Sequence, residues 1–340
     1  MRSRRDERSE QAGPGGSPIT PDAGRTPRLM ARKRKGDPVN GWLAIDKPLG
    51  IGSTQVVAKV KRLLNAAKVG HGGTLDPLAS GILPIALGEA TKTVQYVMDG
   101  SKTYRFQVRW GEATASCDRE SEVIETSPHR PTAEAIAAAL PAFLGEIDQI
   151  PPAYSAIKID GQRAYDLARA GEEVEIKPRR VAIKSFTLLG QPDADHADFE
   201  VHCGKGTYVR SLARDLSLAL GTVGHVSVLR RIACGPFNEQ NAISLESLED
   251  LSQVPAPWTF LLPIETALDD IPALALTESE ARRLQSGNPV SISHVVSRHP
   301  QAELAEGTVC RAMQAERLVA LVRIESGEIR PVRVMNLTEE

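Results

Sequence analysis

The sequence predicts an α+β protein with a small β-rich region at its C-terminal end. Three observations carry this. Lys102–Trp110 (KTYRFQVRW) and Asp198–Cys203 alternate apolar with polar residues, the period of a half-buried strand. Val56, Val57, Val60, Leu63 and Leu64 recur at the 3.6-residue spacing of a helix, and Pro131–Leu144 is an Ala-rich helix candidate. Beyond Pro255-Ala256-Pro257 the chain changes to short strand-like runs, clearest at Arg317–Ile324 and Ile329–Val334, which suit a small β-rich domain.

The bulk properties restrict the function classes. A chain of 340 residues can hold two or three domains and a sizeable core. Charged residues make up 25% and hydrophobic residues 41%, an ordinary globular balance. No apolar run approaches the roughly 20 residues of a membrane span, so a soluble protein is expected. The N-terminal residues are basic but no apolar segment follows, unlike a secretory signal. Cys117, Cys203, Cys234 and Cys310 are far apart with no C-x-x-C pair. That argues against a metal site or disulfide framework and suits the reducing cytoplasm. The net charge of −2 is uneven: +5 over residues 1–38, zero over 39–240 and −7 over 241–340. Nucleic-acid binding therefore has to rest on local patches.

Taken in order, residues 1–38 are rich in Arg, Gly, Pro and Ser and read as a disordered basic tail. Order is expected from Gly41. Trp42–Lys47 reads as a short strand that Pro48 ends. Ser53 or Thr54 caps the helix that follows, to about Leu64. Ile82–Leu87 reads as a buried strand and Ala90–Met98 as helical. Alternation puts Tyr104 on the apolar face of its strand. Residues 111–130 read as an exposed loop, and Thr132 as the N-cap of the Ala-rich helix. Ile147–Lys158 is broken by prolines and leads into Gly161-Gln162-Arg163-Ala164-Tyr165 and a helix to about Ala170. Lys177, Arg179, Arg180 and Lys184 form a basic patch around a strand running to Leu189. A Gly204-Lys205-Gly206-Thr207-Tyr208 loop enters a helix ending at Leu220, with Arg210 in its first turn. Val226–Arg231 is a strand, Ser244–Leu251 a short helix, and Glu278–Gln285 another.

The stretch with the most unusual chemistry is GHGGTLDPLASG, residues 70–81. Gly70, Gly72 and Gly73 permit a sharp turn or a close approach. Pro77 biases Asp76 towards an extended backbone. The expected result is a stiff loop presenting a single carboxylate. A carboxylate beside an arginine stays ionised and serves as nucleophile or charge stabiliser, not as a general acid. A tyrosine ring can stack on a flipped-out base. No Ser/His/Asp triad, zinc motif, Walker A loop or dinucleotide fingerprint is present. Spacing alone does not bring Asp76, Tyr104 and Arg210 together.

Residues 70–81 resemble the catalytic motif of the TruB family of tRNA pseudouridine synthases. The resemblance extends through GWLAIDKP (41–48), GEATK (88–92), KTYR (102–105), IPPAYSAIK (150–158), HCGKGTYVR (202–210) and HVSVLRR (225–231). It covers roughly residues 40–250, and residues 263–340 resemble the family's small PUA-like C-terminal domain more loosely. The first 38 residues have no counterpart.

The resemblance implies a pseudouridine synthase fold, in which helices flank a central mixed, mostly antiparallel sheet. The catalytic domain would span 39–255 and the PUA-like domain 263–340. It implies an isomerase of uridine-55 in the tRNA T-loop, acting as a cytoplasmic monomer without cofactor, metal, membrane or obligate protein partner. By the same resemblance Asp76 is the nucleophile, acting at C1′ of the sugar or through a glycal intermediate. Tyr104 stacks on the flipped base and assists proton removal, and Arg210 pairs with Asp76. Tyr208 and Leu229 line the base pocket, His71 fills space near the flipped nucleotide, and Lys47 of the Asp-Lys-Pro element supports the site. Gly72 departs from the family, where many members carry Thr. Two other readings are a non-catalytic RNA-binding or tRNA-folding protein on this fold, and an enzyme working inside a guide-RNA complex.

Overall fold

The computed structural model describes residues 36–155, 157–159, 161–164, 167, 170, 176–253, 257–298 and 304–337. The basic tail lies outside these, except at residues 36–38. There Asp37 bridges to Ala66, ahead of Gly41. Residues 165, 166, 168 and 169 of the helix expected to about Ala170 also lie outside the described residues.

The strands of the first 250 residues are β1 (Gly41–Lys47), β2 (Val69–His71), β3 (Ala79–Leu87), β4 (Lys102–Trp110), β5 (Glu112–Thr114), β6 (Val123–Thr126) and β7 (Gly145–Gln149). They continue with β8 (Lys158–Ile159), β9 (Gln162–Arg163), β10 (Arg179–Asp193), β11 (His196–Cys203), β12 (Gly224–Cys234), β13 (Phe237–Asn238) and β14 (Ala242–Ser244). Ten of them form one sheet in the order β14-β1-β3-β12-β4-β11-β10-β7, with β2 beside β3 and β13 beside β12. Only β1–β14 and β3–β12 are parallel pairs. The sheet is thus mixed and mostly antiparallel, as expected. β3 reads as a continuous apolar run because all of it but Ser80 is buried. A strand covered on both faces does not alternate.

Helix Ser53–Leu63 packs Val56 and Val60 against Leu43, Ile45, Leu83 and Ile85 of β1 and β3. Its cap differs from expectation. Gly52 holds the cap position, and its N–H donates to Gln55 Oε1 at 2.8 Å. Ser53 is engaged elsewhere. Its Oγ donates to the Leu75 carbonyl at 2.9 Å and accepts from the Leu75 N–H at 2.8 Å. This buried pair straps the Asp76 loop to the helix. Ser53→Ala leaves both backbone groups of Leu75 unpaired. It is expected to cost about 1–3 kcal/mol in a chemical denaturation titration.

The segment 111–130 is not the exposed loop its composition suggests. β5 and β6 pair as a hairpin, and the connection buries Thr114, Ser116, Cys117 and Asp118. These polar groups can be buried because they satisfy one another. Ser116 Oγ donates to Asp118 Oδ1 at 2.6 Å, Thr114 Oγ1 to the Asp118 carbonyl at 2.6 Å, and the Ser116 N–H to Ser121 Oγ at 2.8 Å. β7 is likewise a strand where the prolines nearby suggest none.

Helix Val209–Ala219 buries Val209, Leu212, Ala213 and Leu216 against an aromatic core of Phe106, Trp110, Phe186 and Phe199. The C-terminal region forms a second, curled sheet of β15 (Ala273–Ala275), β16 (Val290–Ser291), β17 (Val309–Gln314), β18 (Arg317–Glu325) and β19 (Glu328–Val334), in the order β15-β17-β18-β19-β16. Helix Glu278–Gln285 covers it behind a Thr277/Glu280 capping box. One apolar cluster joins both parts of the chain: Trp42, Ile82 and Phe237 pack with Ile264, Leu268, Leu318, Leu321 and Met335. Polar contacts reinforce it. Glu89 Oε2 accepts from the Asn336 N–H at 2.6 Å, and Lys92 Nζ donates to the Val334 carbonyl at 2.6 Å.

Candidate active site

The sheet order brings the singled-out residues together. β12 lies between β3 and β4, and its register sets Leu229 opposite Ala79 and Phe106, and Arg231 opposite Gly81 and Tyr104. The Asp76 loop joins β2 to β3, and the 204–208 loop leads into helix Val209–Ala219. Where these meet, a cavity of about 320 Å³ is lined by Asp76, Tyr104, Tyr208, Arg210, Leu229 and Arg231, among others. Lys47 and His71 do not line it.

Each loop is held for a local reason. Gly73 takes φ +138, a conformation L side chains rarely adopt. Gly72 serves differently: a Cβ there would stand 2.7 Å from Val97 Cγ1, so this position is fixed by close packing rather than by flexibility. Pro77 is pinned through its carbonyl, which accepts from the Gly50 N–H at 2.8 Å. Gln149, almost fully buried, holds the Tyr208 backbone from both sides: the Tyr208 N–H donates to its Oε1 at 2.8 Å, and its Nε2 donates to the Tyr208 carbonyl at 3.2 Å.

Asp76 and Arg210 form an ion pair, with Arg210 Nη2 2.9 Å from Asp76 Oδ2. The carboxylate side chain is 44% exposed and the guanidinium 7%, so the anion faces the cavity and the cation lies behind it. Arg210 is held from the rear as well. Its Nη1 stands 3.2 Å from Asp118 Oδ2 and donates to the Ser116 carbonyl at 3.0 Å, while Nη2 donates to the Tyr154 carbonyl at 2.9 Å. A cation in the first turn of a helix is unfavourable with the helix dipole. Two carboxylates offset that here.

A further cation lies near Asp76 and Arg231. Lys47 is fully buried, and its ammonium donates to the carbonyls of Pro48 at 3.0 Å and Ile51 at 2.7 Å. Burial drives its pKa down to about 8; nearby Asp76 opposes that and Arg231 adds to it. His71 is also held below its usual value by burial and then by Arg231, and its Nδ1 accepts from the Gly73 N–H at 3.3 Å. Burial raises the Tyr208 hydroxyl, and it pushes that of Tyr104 up to about 12.

Lys47 carries a stability prediction. Between about pH 8 and the unfolded value of 10.5, the unfolded chain binds the lysine proton that the native site has released. Stability therefore rises with pH through this window. Lys47→Met is expected to flatten that rise when the two proteins' denaturation midpoints are compared from pH 7 to 10.5.

Asp118, Gln149 and Arg231 were not singled out as site residues from the sequence. Arg231 lies within the HVSVLRR motif, so its position was visible but its inward direction was not. Asp118 and Gln149 sit in no local pattern. Lys177, Arg179, Arg180 and Lys184 are exposed, as a phosphate-facing patch would be. Among the described residues no cluster of His, Cys, Asp or Glu is placed to hold a metal ion. None of their helices is long and apolar enough to cross a membrane.

Comparison with known proteins bears on this arrangement. The profile of the TruB family pseudouridylate synthase N-terminal domain matches residues 61–209, and that of the tRNA pseudouridylate synthase B C-terminal domain matches 210–269. The tRNA pseudouridine synthase B of Rhodospirillum rubrum is 58% identical over 308 residues, covering 91% of this chain and all of the relative. That of Caulobacter vibrioides is 55% identical over 310 residues, again covering 91% of this chain and all of the relative. Among solved structures, a chain of a Cbf5-Nop10-Gar1 complex superposes with a TM-score of 0.69 at 27% identity, covering 87% of this chain and 84% of that one. With two profiles in tandem and relatives matched end to end at more than half identity, the chain belongs to the TruB family of pseudouridylate synthases.

Proposed function

We propose that this protein converts uridine-55 in the T-loop of tRNA to pseudouridine, with the target base flipped out of its stack into the Asp76 cavity. The N1 glycosidic bond breaks, the uracil turns, and C5 bonds to C1′ of the sugar. The proton lost from C5 is balanced by the one gained at N1, so no redox partner is required. Asp76 is the nucleophile and Arg210 keeps its carboxylate aimed at the sugar. The Tyr104 ring stacks on the base, and Tyr208 and Leu229 close the pocket around it. His71, neutral and held against the Gly73 backbone, fills space beside the displaced nucleotide. Lys47 supports the loop from below. The catalytic region is 39–255 and the PUA-like region 263–340. The enzyme acts as a cytoplasmic monomer on the T-arm.

One observation carries this reading. A half-exposed carboxylate faces a cavity of about 320 Å³ while its arginine partner is buried and held by four oxygen-bearing groups. A protein that only bound or folded RNA would not need that arrangement. Incubation of the purified protein with an unmodified tRNA transcript, followed by mapping of pseudouridine, is expected to give one product at position 55. Product elsewhere would refute the site, and no product without a guide RNA would favour a guided enzyme.

A further inference from the structure

Two spaces meet at Asp76. The larger is the cavity of about 320 Å³, with Tyr104, Tyr208 and Arg231 on its walls. Beside it is a recess of about 10 Å³, lined by Leu78, Asp118, Arg119, Val226 and Ser227. Asp76, Ala79, Arg210 and Leu229 line both, so they form the shared wall. Among the described residues four cations line these spaces, and one of them differs from the rest. Lys102 donates to the carbonyls of Val97, Met98 and Gly100 at 3.1, 2.6 and 2.6 Å. Arg231 donates through Nε to the Ile82 carbonyl at 2.8 Å and through Nη2 to the Gly73 carbonyl at 3.0 Å. Arg210 is held by two carboxylates and two carbonyls. Arg119 is exposed and makes no hydrogen bond or ion pair with another described residue. Its backbone is nonetheless fixed. The Asp118 carbonyl accepts from Thr114 Oγ1 at 2.6 Å, Asp118 Oδ1 accepts from the Glu120 N–H at 2.8 Å, and the Cys117 carbonyl accepts from the Val226 N–H of β12 at 3.0 Å. A free guanidinium thus stands on a rigid base, and only its own side chain has to be ordered when it binds.

We propose that Arg119 is a substrate-binding residue that pairs with a phosphate flanking the target uridine, at the mouth of the recess. With the uracil in the larger cavity and C1′ beside Asp76, the sugar lies at the shared wall. The phosphates hang from C3′ and C5′, on the part of the sugar away from the base. The recess shares Asp76 with the base cavity but neither of its tyrosines. It is too small to admit a phosphate, which therefore rests across its mouth, within reach of Arg119. The planar fork of a guanidinium matches the oxygens of a phosphate. No carboxylate nearby takes that place. Asp118 is engaged by Arg210 at 3.2 Å and by Ser116 Oγ at 2.6 Å, and Asp76 by Arg210 at 2.9 Å. Glu120 and Glu122 line a different recess, with Ser121 and Tyr154. Charge balance points the same way. The recess holds two carboxylates, Asp76 and Asp118, and two guanidinium groups, Arg119 and Arg210. Without Arg119 it would turn one net negative charge towards an RNA backbone that is itself anionic.

This inference rests on the reading of the larger cavity as the uridine site, so the experiment separates the two. Affinity and single-turnover pseudouridine formation are measured for the wild type, Arg119→Gln and Arg119→Lys. Three RNAs are used: an unmodified tRNA, and the same tRNA assembled with a neutral methylphosphonate in place of the phosphate 5′ or 3′ to the target uridine. On the unmodified tRNA, Arg119→Gln is expected to weaken binding about 10-fold at low salt and to lower the slope of log affinity against log salt by about 1. At saturating RNA its rate constant is expected to stay within about threefold of wild type. Arg119→Lys keeps the charge and is expected to lose about threefold in affinity. One of the two methylphosphonates is expected to weaken wild-type binding by about the same 10-fold, and to make Arg119→Gln no worse, because that contact is already gone. An unchanged salt slope, or the same Arg119→Gln loss on all three RNAs, would overturn the proposal. Failure of the underlying site reading has a separate signature: the wild type would form no pseudouridine at position 55 of the unmodified tRNA.

Discussion

Asp76→Asn is expected to lower pseudouridine formation on a tRNA transcript by at least about 10⁴-fold, with tRNA affinity changed little. The substitution keeps the shape of the side chain and its ability to accept from Arg210, so the loop should stay in place. What it removes is the negative charge and the oxygen proposed as the nucleophile. Ser53, Gly50 and Arg231 hold the surrounding backbone without using the Asp76 side chain. A thermal melt within a few degrees of wild type is therefore the expected control. Normal turnover by this variant would end the assignment of Asp76 as nucleophile. Retained RNA-refolding activity in the inactive variant would show that a folding role coexists with catalysis.

The second large effect is expected at Arg210. Arg210→Lys should reduce the rate constant about 10²- to 10³-fold, well beyond what a conserved charge suggests. The guanidinium spans four partners at once: the carboxylates of Asp76 and Asp118, and the carbonyls of Ser116 and Tyr154. An ammonium is a compact point charge and cannot reach both carboxylates in that geometry. Asp118→Asn tests the same network from behind. It leaves Arg210 paired with Asp76 but removes one of its two anchoring charges. A loss of about 10-fold or more in the single-turnover rate, with little change in affinity, is expected. If Arg210→Lys and Asp118→Asn are each near wild type, the ion pair does not position the nucleophile.

Much of the fold was legible because its elements have strong local periods. β4 and β11 follow from apolar residues at spacing 2, the helix over 53–63 from spacing 3.6, and β3 from an unbroken apolar run. What sequence could not show is pairing. Tyr104, Leu229 and Arg231 meet only because β12, late in the chain, inserts between β3 and β4. The 111–130 segment misled for a related reason. Its Ser, Thr and Asp residues look solvent-facing, and become burial-compatible only when Ser116, Thr114 and Ser121 bond around Asp118. The expected cap at Ser53 failed because a distant partner, Leu75, takes its hydroxyl. The motif order brought out Asp76, Tyr104 and Arg210 as a set, while Asp118 and Gln149 act through geometry that no single stretch encodes.

The contact between Glu89, Lys92 and the end of β19 limits how this protein can be divided. A truncation after about Gln253 would leave the Glu89 carboxylate without the Asn336 N–H, and Lys92 without the Val334 carbonyl. It would also uncover Trp42, Ile82 and Phe237, which now lie against Leu318, Leu321 and Met335. The fragment so made would carry a fresh apolar face around these three residues. Such a face favours self-association. Work on minimal versions of this enzyme should therefore keep the last β-strand, or replace the uncovered aromatic residues before cutting.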